Sequence, residues 1–428
     1  MPGTDEERND AAAGASVAMI SLAEARQFVL HGLAPLAPTT LTLEQSLGCV
    51  AAEGVTAREP SPRFANSAMD GFALRAIDTE GGSVRLWITD AIFAGDLAST
   101  QVGEGEAMRI MTGAPIPEGA DSVCMREEAT VDPDGATVLI HRAARPGEFV
   151  RLVGEDVTVG QGLLEPGSDV GPALLGVLAS QGVTSLLVHP RPRVGVLSTG
   201  NELSNADGPL APGKIRDSNR PSLLASLQQS GFTPVDLGTV GDTAAEITRA
   251  FQRGTHECDA IISTGGVSVG DADFVKSVLA ELCGENARSM QVAIRPGKPF
   301  AFGVDPSGTP FFGLAGNPVS TLVGFELFVR PALRLLAGYA ELDRPTISMV
   351  LDCPLPRRRD GKLHLVHVMA KVHDDGRIHV EHVARQASHL LSAIAQSNAL
   401  AMVPDGDGLD VGAMVPAMIL DATHLNGV

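Results

Sequence analysis

The stretch "IISTGGVSVGDADF", residues 261–274, runs a short apolar segment into three glycines, two serines and two aspartates. Branched apolar residues bounded by glycine predict a strand, and the residues that follow predict a helix. Between them lies a loop with the composition of a phosphate cradle. Yet the lysine of a phosphate loop is missing, and acids stand where the helix opens. The fold question and the ligand question therefore start at the same place.

Two further strand ends share this design. "VGVLSTGNEL" turns at Gly200 and sets Asn201 and Glu202 just beyond it. "FFGLAGNPVSTLVGFELFV" turns at Gly316, with Asn317 suited to an N-cap and Pro318 to a first helical position. Strands expected at 194–198, 233–237, 260–264 and 311–314 alternate with helical segments, which predicts βαβ units on a parallel sheet. Such sheets bind ligands outside their carboxyl ends, where strand order reverses and glycine lets backbone come close. Turn chemistry alone explains one glycine-rich loop; three in one region point to a site. Neither GxGxxG nor GxxxxGK[ST] occurs in these loops, which excludes the ordinary dinucleotide and P-loop readings.

Asp271 and Asp242 each read equally as plain helix N-caps, Asp242 with Glu246 nearby, whereas Asp273 has a weaker capping excuse. Should Glu202, Asp242 and Asp273 converge at one sheet edge, three carboxylates would repel a phosphorylated ligand. A divalent cation resolves that conflict, because Mg²⁺ takes carboxylates and shares phosphate oxygens. "IRPGKPFAFG" adds Arg295 and Lys298 around a Pro-Gly turn. "KIRDSNRPS" adds Lys214, Arg216 and Arg220 beside Asp217. Both clusters read either as solvated surface or as anion sites.

The 428 residues exceed one ordinary core, and 44% apolar with 19% charged residues fits soluble, multidomain packing. A net charge of −19 argues against a nucleic-acid partner. It also means that an anionic ligand must be held by local donors. No apolar run reaches the ~18 residues of a membrane span, and the acidic start lacks a signal-peptide core, so no membrane association is expected. Five scattered cysteines without a CxxC pair suit a reducing, cytoplasmic setting. Residues 1–18 read as a flexible tail. "SLAEARQFVLHGL" carries a capping box, Ser21 with Glu24, ahead of a helix at 22–31. Short strands dominate residues 53–162, "PALLGVLASQGV" predicts a helix at 172–183, and the chain is β-rich again beyond 338. His364, His367, His373, His379, His382 and His389 crowd that last region. The first five fall on a hairpin turning at Asp375-Gly376, so the group reads as a solvated sheet face rather than a zinc site.

"NSAMDGFALR", "RIMTGAPIPEGAD", "RLVGEDV", "LSTGNEL", "DSNR", "STGGVSVGDAD", "RPGKPFAFG" and "GLAGNPVS" occur in that order. From Ser21 to the C-terminus the chain closely resembles the molybdopterin molybdenumtransferase (molybdenum insertase) family, which includes the C-terminal part of gephyrin. The resemblance implies a multidomain α/β plus β protein with an L-shaped subunit. Its first domain would span 19–57 and 150–190, with a β-rich lid inserted at 58–149. An α/β pterin-binding domain with a mostly parallel sheet would span 191–338, and a β-barrel 339–428. It also implies molybdate and adenylylated molybdopterin as substrates, AMP as a product, Mg²⁺ as cofactor and a homodimer. Partners implied with it are a molybdopterin adenylyltransferase and cofactor-accepting molybdoenzymes.

Carried over by motif, Glu202, Asp242 and Asp273 match acids of the pterin pocket, with Asp242 and Asp273 as the metal-linked pair. Asp70, Thr112 and Asp156 match catalytic positions of the lid and first domain, and Arg151 a substrate contact there; in the family they complete the site across the dimer. Gly200, Ser263, Gly265, Gly266, Ser268, Asp217, Arg295, Lys298, Gly316, Asn317, Pro318 and Ser392 match substrate-binding positions. For Asp70-Gly71 the residues alone suggest a plain hairpin turn. Gln291 stands where the family usually has a lysine, and Arg295 replaces a second one. Ala315 replaces a proline, His367 an expected arginine and Arg216 a tyrosine. These departures bear on molybdate affinity and turnover more than on fold. The rival readings are the sister adenylyltransferase activity, which needs only the α/β domain, and a non-catalytic pterin-binding scaffold.

Overall fold

The computed structural model describes residues 18–204, 208–267, 274–383, 390–423 and 425. They divide into two compact units, one made of Leu41–Leu47 and Glu53–Leu186 and the other of the remaining stretches. In the larger unit α1 (Leu22–His31) starts as its sequence requires. Ser21 Oγ accepts the Glu24 N–H at 3.1 Å, and the Glu24 carboxylate accepts the Ser21 N–H at 2.8 Å. Ala25 and Val29, four apart, turn into the core.

A seven-stranded sheet follows. Its strands are β1 (Arg193–Thr199), β2 (Thr233–Val240), β3 (Ala260–Thr264), β4 (Arg288–Val292), β5 (Pro299–Val304) and β6 (Pro310–Leu314), with the short Met19–Ile20 on one edge. The spatial order is Met19–Ile20, β4, β5, β6, β3, β1, β2; β6, β3, β1 and β2 run parallel, and β5 is antiparallel to both neighbours. The connecting helices are α2 (Asn219–Gln229), α3 (Ala244–Glu257) and α4 (Phe274–Cys283). After β6 come α5 (Pro318–Gly324), a π-helical turn at Phe325–Val329 and α6 (Arg330–Leu336).

Leu223 and Leu227 of α2 pack with Val194, Val196, Ala260 and Ile262 on one face of the sheet. Val275, Val278 and Leu279 of α4 pack with Leu197 and Ile261 on the other. The chain thus leaves β1 toward one face and β3 toward the opposite face, and a crevice opens between them. Phe251, Phe302, Phe311, Phe312, Phe325 and Phe328 are fully buried around this sheet. Each contributes roughly 1.5–3 kcal/mol by leaving water, so the platform beneath the turns is stiff.

The same unit carries a barrel of β7 (Thr346–Leu351), β8 (Leu363–Val372), β9 (Ile378–His382), β10 (Ala399–Val403) and β11 (Met414–Ile419). Pairings β8–β9, β9–β7, β7–β11, β11–β10 and β10–β8 close the ring around Met349, Val368, Val380, Ala401 and Val415. Closure removes the exposed sheet edges that an open five-stranded sheet would leave. Ile294–Arg295 pairs with Leu363 and His364 of β8, which ties the α/β part to the barrel.

The smaller unit holds a six-stranded sheet in which Thr137–Ile140, Val84–Ile92, Glu106–Ile110 and Gly71–Leu74 are the interior members and Ser122–Met125 forms one edge. It is covered on both faces: Phe72 and Leu74 face one core, Ala73 the other. Asp70-Gly71 is not the hairpin turn that its residues suggest. Gly71 begins a central strand, and a Cβ there would lie 1.9 Å from the Cys124 carbonyl oxygen. Glycine is needed for close strand approach, not for a turn. The helix expected at 172–183 is Pro172–Ser180; it stops early because Gly182 takes a left-handed φ of 72°.

Candidate functional site

The turns after β1, β3 and β6 meet at one sheet edge. Gly265 and Gly266 have φ of 97° and 64°, which only glycine adopts without strain. A Cβ on Gly265 would sit 2.5 Å from the Thr199 carbonyl oxygen at the end of β1. One on Gly316 would sit 3.7 Å from Gly265 Cα. The backbones of the three turns therefore touch, which a side chain on Gly265 would prevent.

The turn after β2 joins them through reciprocal hydrogen bonds. Asn201 N–H donates to Asp242 Oδ2 at 3.0 Å, and Asp242 N–H donates to Asn201 Oδ1 at 3.3 Å. Lys214 Nζ caps the Asn201 carbonyl. Asp242 is thus not a helix cap: Thr243 caps α3, accepting the Glu246 N–H at 3.3 Å and donating to Glu246 Oε2 at 2.9 Å. Glu202 folds back over its own turn, and a Cβ on Gly200 would meet both of its carboxylate oxygens at 2.7 Å. Glu202 and Asp242 are therefore held at adjoining turns by groups that a sequence pattern cannot show. Asp273 and Ser268 lie outside the described residues, as does Asp271.

Two expected ligand contacts are buried. Asp217 is 3% exposed at its side chain. It accepts the N–H groups of Asn219 and Arg220, the Arg220 Nε–H at 3.1 Å and the Thr239 hydroxyl. Its oxygens are spent on the entry to α2, and Arg220 also reaches Asp236. Ser263 is 1% exposed. Strand alternation puts it on the Ile261 side of the sheet, and its buried hydroxyl has no hydrogen-bond partner among the described residues. The residue the motif reading passed over is Asn219: its Nδ2 donates to Thr264 Oγ1 at 2.8 Å and to the Gly316 carbonyl at 2.7 Å. Asn317 takes the N-cap position of α5 without a side-chain capping bond, and Pro318 opens that helix.

A second hollow, of about 710 Å³, lies between the Pro-Gly turn and the barrel. Arg295, Lys298, Asn317, Arg357, Arg358, His364 and His367 border it. Arg357 is neutralised by Asp360 and Asp405 at 2.9 and 2.6 Å. Arg295, Lys298 and Arg358 have no carboxylate partner among the described residues. Burial pushes the His367 imidazole down to about 4, so this side chain adds no charge at neutral pH. Ser392 is exposed on the short helix Leu391–Ile394, whose Ile394 borders the hollow. Gln291 is not among the bordering residues; Ala315 is buried beside the Gly316 turn.

Asp352, His373 and His379 form the metal-type cluster found among the described residues. The two imidazoles stack at 4.1 Å with planes 5° apart. In-plane lone pairs of parallel rings cannot meet at one ion. The His379–Asp352 contact at 2.6 Å is instead a hydrogen bond that raises the imidazole's pKa above its ordinary value.

The other motif residues lie in the smaller unit. Asp70 Oδ1 accepts both the N–H and the hydroxyl of Thr112 at 2.8 Å, and the backbone bond above all lowers its pKa. Arg151 pairs across a two-residue ladder with Asn66, and the Asp156 N–H donates to the Ser61 carbonyl. Phe149, with a strained φ of 54°, presents its carbonyl to the Ala68 N–H and so supports the turn that leads to Asp70.

Comparison with known proteins matches this arrangement along nearly the whole chain. Family models describe residues 20–182 as the MoeA N-terminal region, domains I and II, and residues 195–335 as a probable molybdopterin binding domain. Residues 352–420 match the MoeA C-terminal region, domain IV. The molybdopterin molybdenumtransferase of Haemophilus influenzae is 36% identical over 96% of this chain and 100% of that protein. The chain belongs to the molybdopterin molybdenumtransferase family. Molybdopterin molybdenumtransferase 2 of Mycobacterium tuberculosis is 38% identical over 95% of this chain and 100% of that protein. The crystal structure of the molybdopterin biosynthesis moeA protein from Pyrococcus horikoshii superposes with a TM-score of 0.76 at 26% identity, covering 94% of this chain and 100% of that one. No helix among the described residues is long and apolar enough to cross a membrane.

Proposed function

We propose that the protein is a molybdopterin molybdenumtransferase of cytoplasmic molybdenum cofactor biosynthesis. Its substrates are molybdate and adenylylated molybdopterin. It cleaves the pyrophosphate link of the pterin nucleotide, releases AMP and leaves molybdenum on the dithiolene sulfurs. The observation that carries this reading is the edge where four turns meet, with backbone glycines in contact and Glu202 and Asp242 held beside them. A phosphorylated pterin fits against the turns, and Arg295, Lys298 and Arg358 of the neighbouring hollow, which have no carboxylate partner among the described residues, suit the molybdate oxyanion.

The carboxylate oxygens at the turn edge are hard donors of the kind Mg²⁺ takes. Asp242 and Asp273 would hold that ion, which supplies charge neutralisation between the acids and the phosphate oxygens. The Asn201 N–H holds one Asp242 oxygen in place, and the Glu202 carboxylate lies over the Gly200 turn. The group around Asp70 and Thr112 is supplied by a second copy of the chain in a homodimer. A molybdopterin adenylyltransferase that delivers the nucleotide and apo-molybdoenzymes that accept the product complete the reading.

Incubating the purified chain with adenylylated molybdopterin, molybdate and Mg²⁺ tests it. AMP release together with reconstitution of an apo-molybdoenzyme is the expected result. Tight binding without AMP would make the protein a scaffold, and nucleotide consumption from ATP and free molybdopterin would make it an adenylyltransferase. Sedimentation that shows an active monomer would remove the dimer from the proposal.

A further inference from the structure

Asn219 is the first residue of α2 and enters the crevice between β1 and β3, where strand order reverses. Its two Nδ2 hydrogens are both used, one on Thr264 Oγ1 at the end of β3 and one on the Gly316 carbonyl after β6. Gly316 O only accepts, so this bond fixes which way round the carboxamide sits. The Oδ1 atom is left buried, with no hydrogen-bond partner among the described residues. The side chain is thus oriented entirely through its donors.

These bonds aim the backbone. A trans peptide points its C=O and N–H in opposite directions within one plane. Holding the Gly316 carbonyl therefore sets the direction of the Asn317 N–H. Thr264 Oγ1 and Thr321 Oγ1 hold the Ala315 carbonyl at 3.3 and 2.6 Å and so set the Gly316 N–H in the same manner. The base of Asn219 is fixed in turn, because its own N–H donates to Asp217, which the Thr239 hydroxyl also reaches from the end of β2. One relay of side chains, Thr239, Asp217, Asn219 and Thr264, crosses the carboxyl edge of the sheet.

We propose that Asn219 is a positioning residue: it clamps the Gly265-Gly266 turn against the Gly316 turn, so that consecutive amides of the latter are pre-aimed at the phosphate of the pterin substrate. The phosphate assignment rests on the function proposed above; the clamp does not. Asn219→Asp keeps the shape but replaces both donors by acceptors, and Asn219→Ala deletes the clamp. Either should raise the KM for adenylylated molybdopterin by about tenfold or more, the scale of one buried hydrogen bond. The molybdate KM should stay unchanged and kcat should stay within about threefold. In the free protein, hydrogen exchange of the peptide covering 314–318 should accelerate.

A purely structural residue would lower active fraction or kcat and leave that KM split absent. Should the Asn219 variants fail to fold, Thr264→Val removes the other half of the clamp and carries the same expectation, while Thr264→Ser must behave as wild type. Unchanged exchange at 314–318, or equal effects on both KM values, overturns the proposal. A wild-type chain without turnover defeats the functional reading instead, and the exchange measurement still decides the clamp.

Discussion

The turn edge and the basic hollow lie in one unit and face the same electrostatic difficulty, since the chain carries a net charge of −19. They answer it with opposite chemistry. At the edge, backbone carries the binding surface beside the acids Glu202 and Asp242, and the cation Lys214 is engaged on the Asn201 carbonyl. In the hollow, Arg295, Lys298 and Arg358 carry it, and glycine backbone matters little. A long phosphorylated ligand can be met by several fixed dipoles, with a cation reconciling it to the acids. A compact oxyanion has few atoms to meet and needs whole charges close by. If this contrast is right, the two regions respond differently to loss of an acid, to pH and to salt.

The largest effect belongs to the acid. Asp242→Asn keeps the Asn201 N–H bond within reach but halves the carboxylate's value to a divalent cation. Turnover should fall by about 10²–10³-fold at saturating Mg²⁺, with thermal stability close to wild type. Product assays over a Mg²⁺ titration check it. Activity within fivefold of wild type would strip the edge of its cation and remove half of the comparison.

Next comes pH, through His367 in the hollow. Its folded pKa is about 4 against an ordinary 6.5. The unfolded chain therefore takes up a proton near pH 6.5 that the folded chain refuses until about pH 4. Stability is present in full above 6.5 and is lost as pH falls through that window, by at most roughly 3 kcal/mol. Urea unfolding at pH 7 and 4.5 should show that loss in wild type and much less of it in His367→Gln, where the Ser397 hydroxyl keeps a partner. Because the His367 imidazole is neutral at pH 7, it adds nothing to the charge that Arg295, Lys298 and Arg358 give the hollow.

The contrast also separates what the chain reveals locally from what it does not. The capping box of α1, the four parallel strands and the glycine turns were legible because each rests on neighbours in sequence: Ser21 with Glu24, branched apolar runs, a left-handed φ at Gly265. The hollow and the clamps were not. Asn219 meets partners 45 and 97 residues away, and Arg357 meets Asp405 at a separation of 48. Asp217 was expected as a ligand contact because its DSNR motif matches one in the family. Its four donors assign it to the entry of α2, and one of them, the Thr239 hydroxyl, lies 22 residues away. Gly71 looked like a turn because glycine after aspartate usually is one. The Cys124 carbonyl that excludes a Cβ there belongs to another strand, Ser122–Met125.

Salt and single cations give a smaller, sharper test. Lys298→Ala should raise the molybdate KM by about tenfold, the cost of one charge-assisted contact, and should leave the pterin KM within twofold. Raising ionic strength from 0.05 to about 0.5 M shortens the Debye length severalfold. It should weaken molybdate binding in wild type more than it weakens the nucleotide, whose donors are oriented peptide groups. Equal salt sensitivity for both substrates would mean that the two regions do not divide the labour as argued.

The smallest effect separates position from resemblance. Gln291 stands where relatives are expected to carry lysine, which suggests a weakened anion site. In the structure Gln291 lies in β4, opposite Pro299 of β5 and beside Met19, and does not border the hollow. A lysine there adds its charge outside the ring of Arg295, Lys298 and Arg358, with solvent to screen it. Gln291→Lys should therefore change the molybdate KM by less than about twofold at 0.15 M salt. A gain approaching tenfold would show that the hollow reaches further along β4 than its present lining, and the boundary between the two regions would have to be redrawn at Gln291 rather than at Arg295.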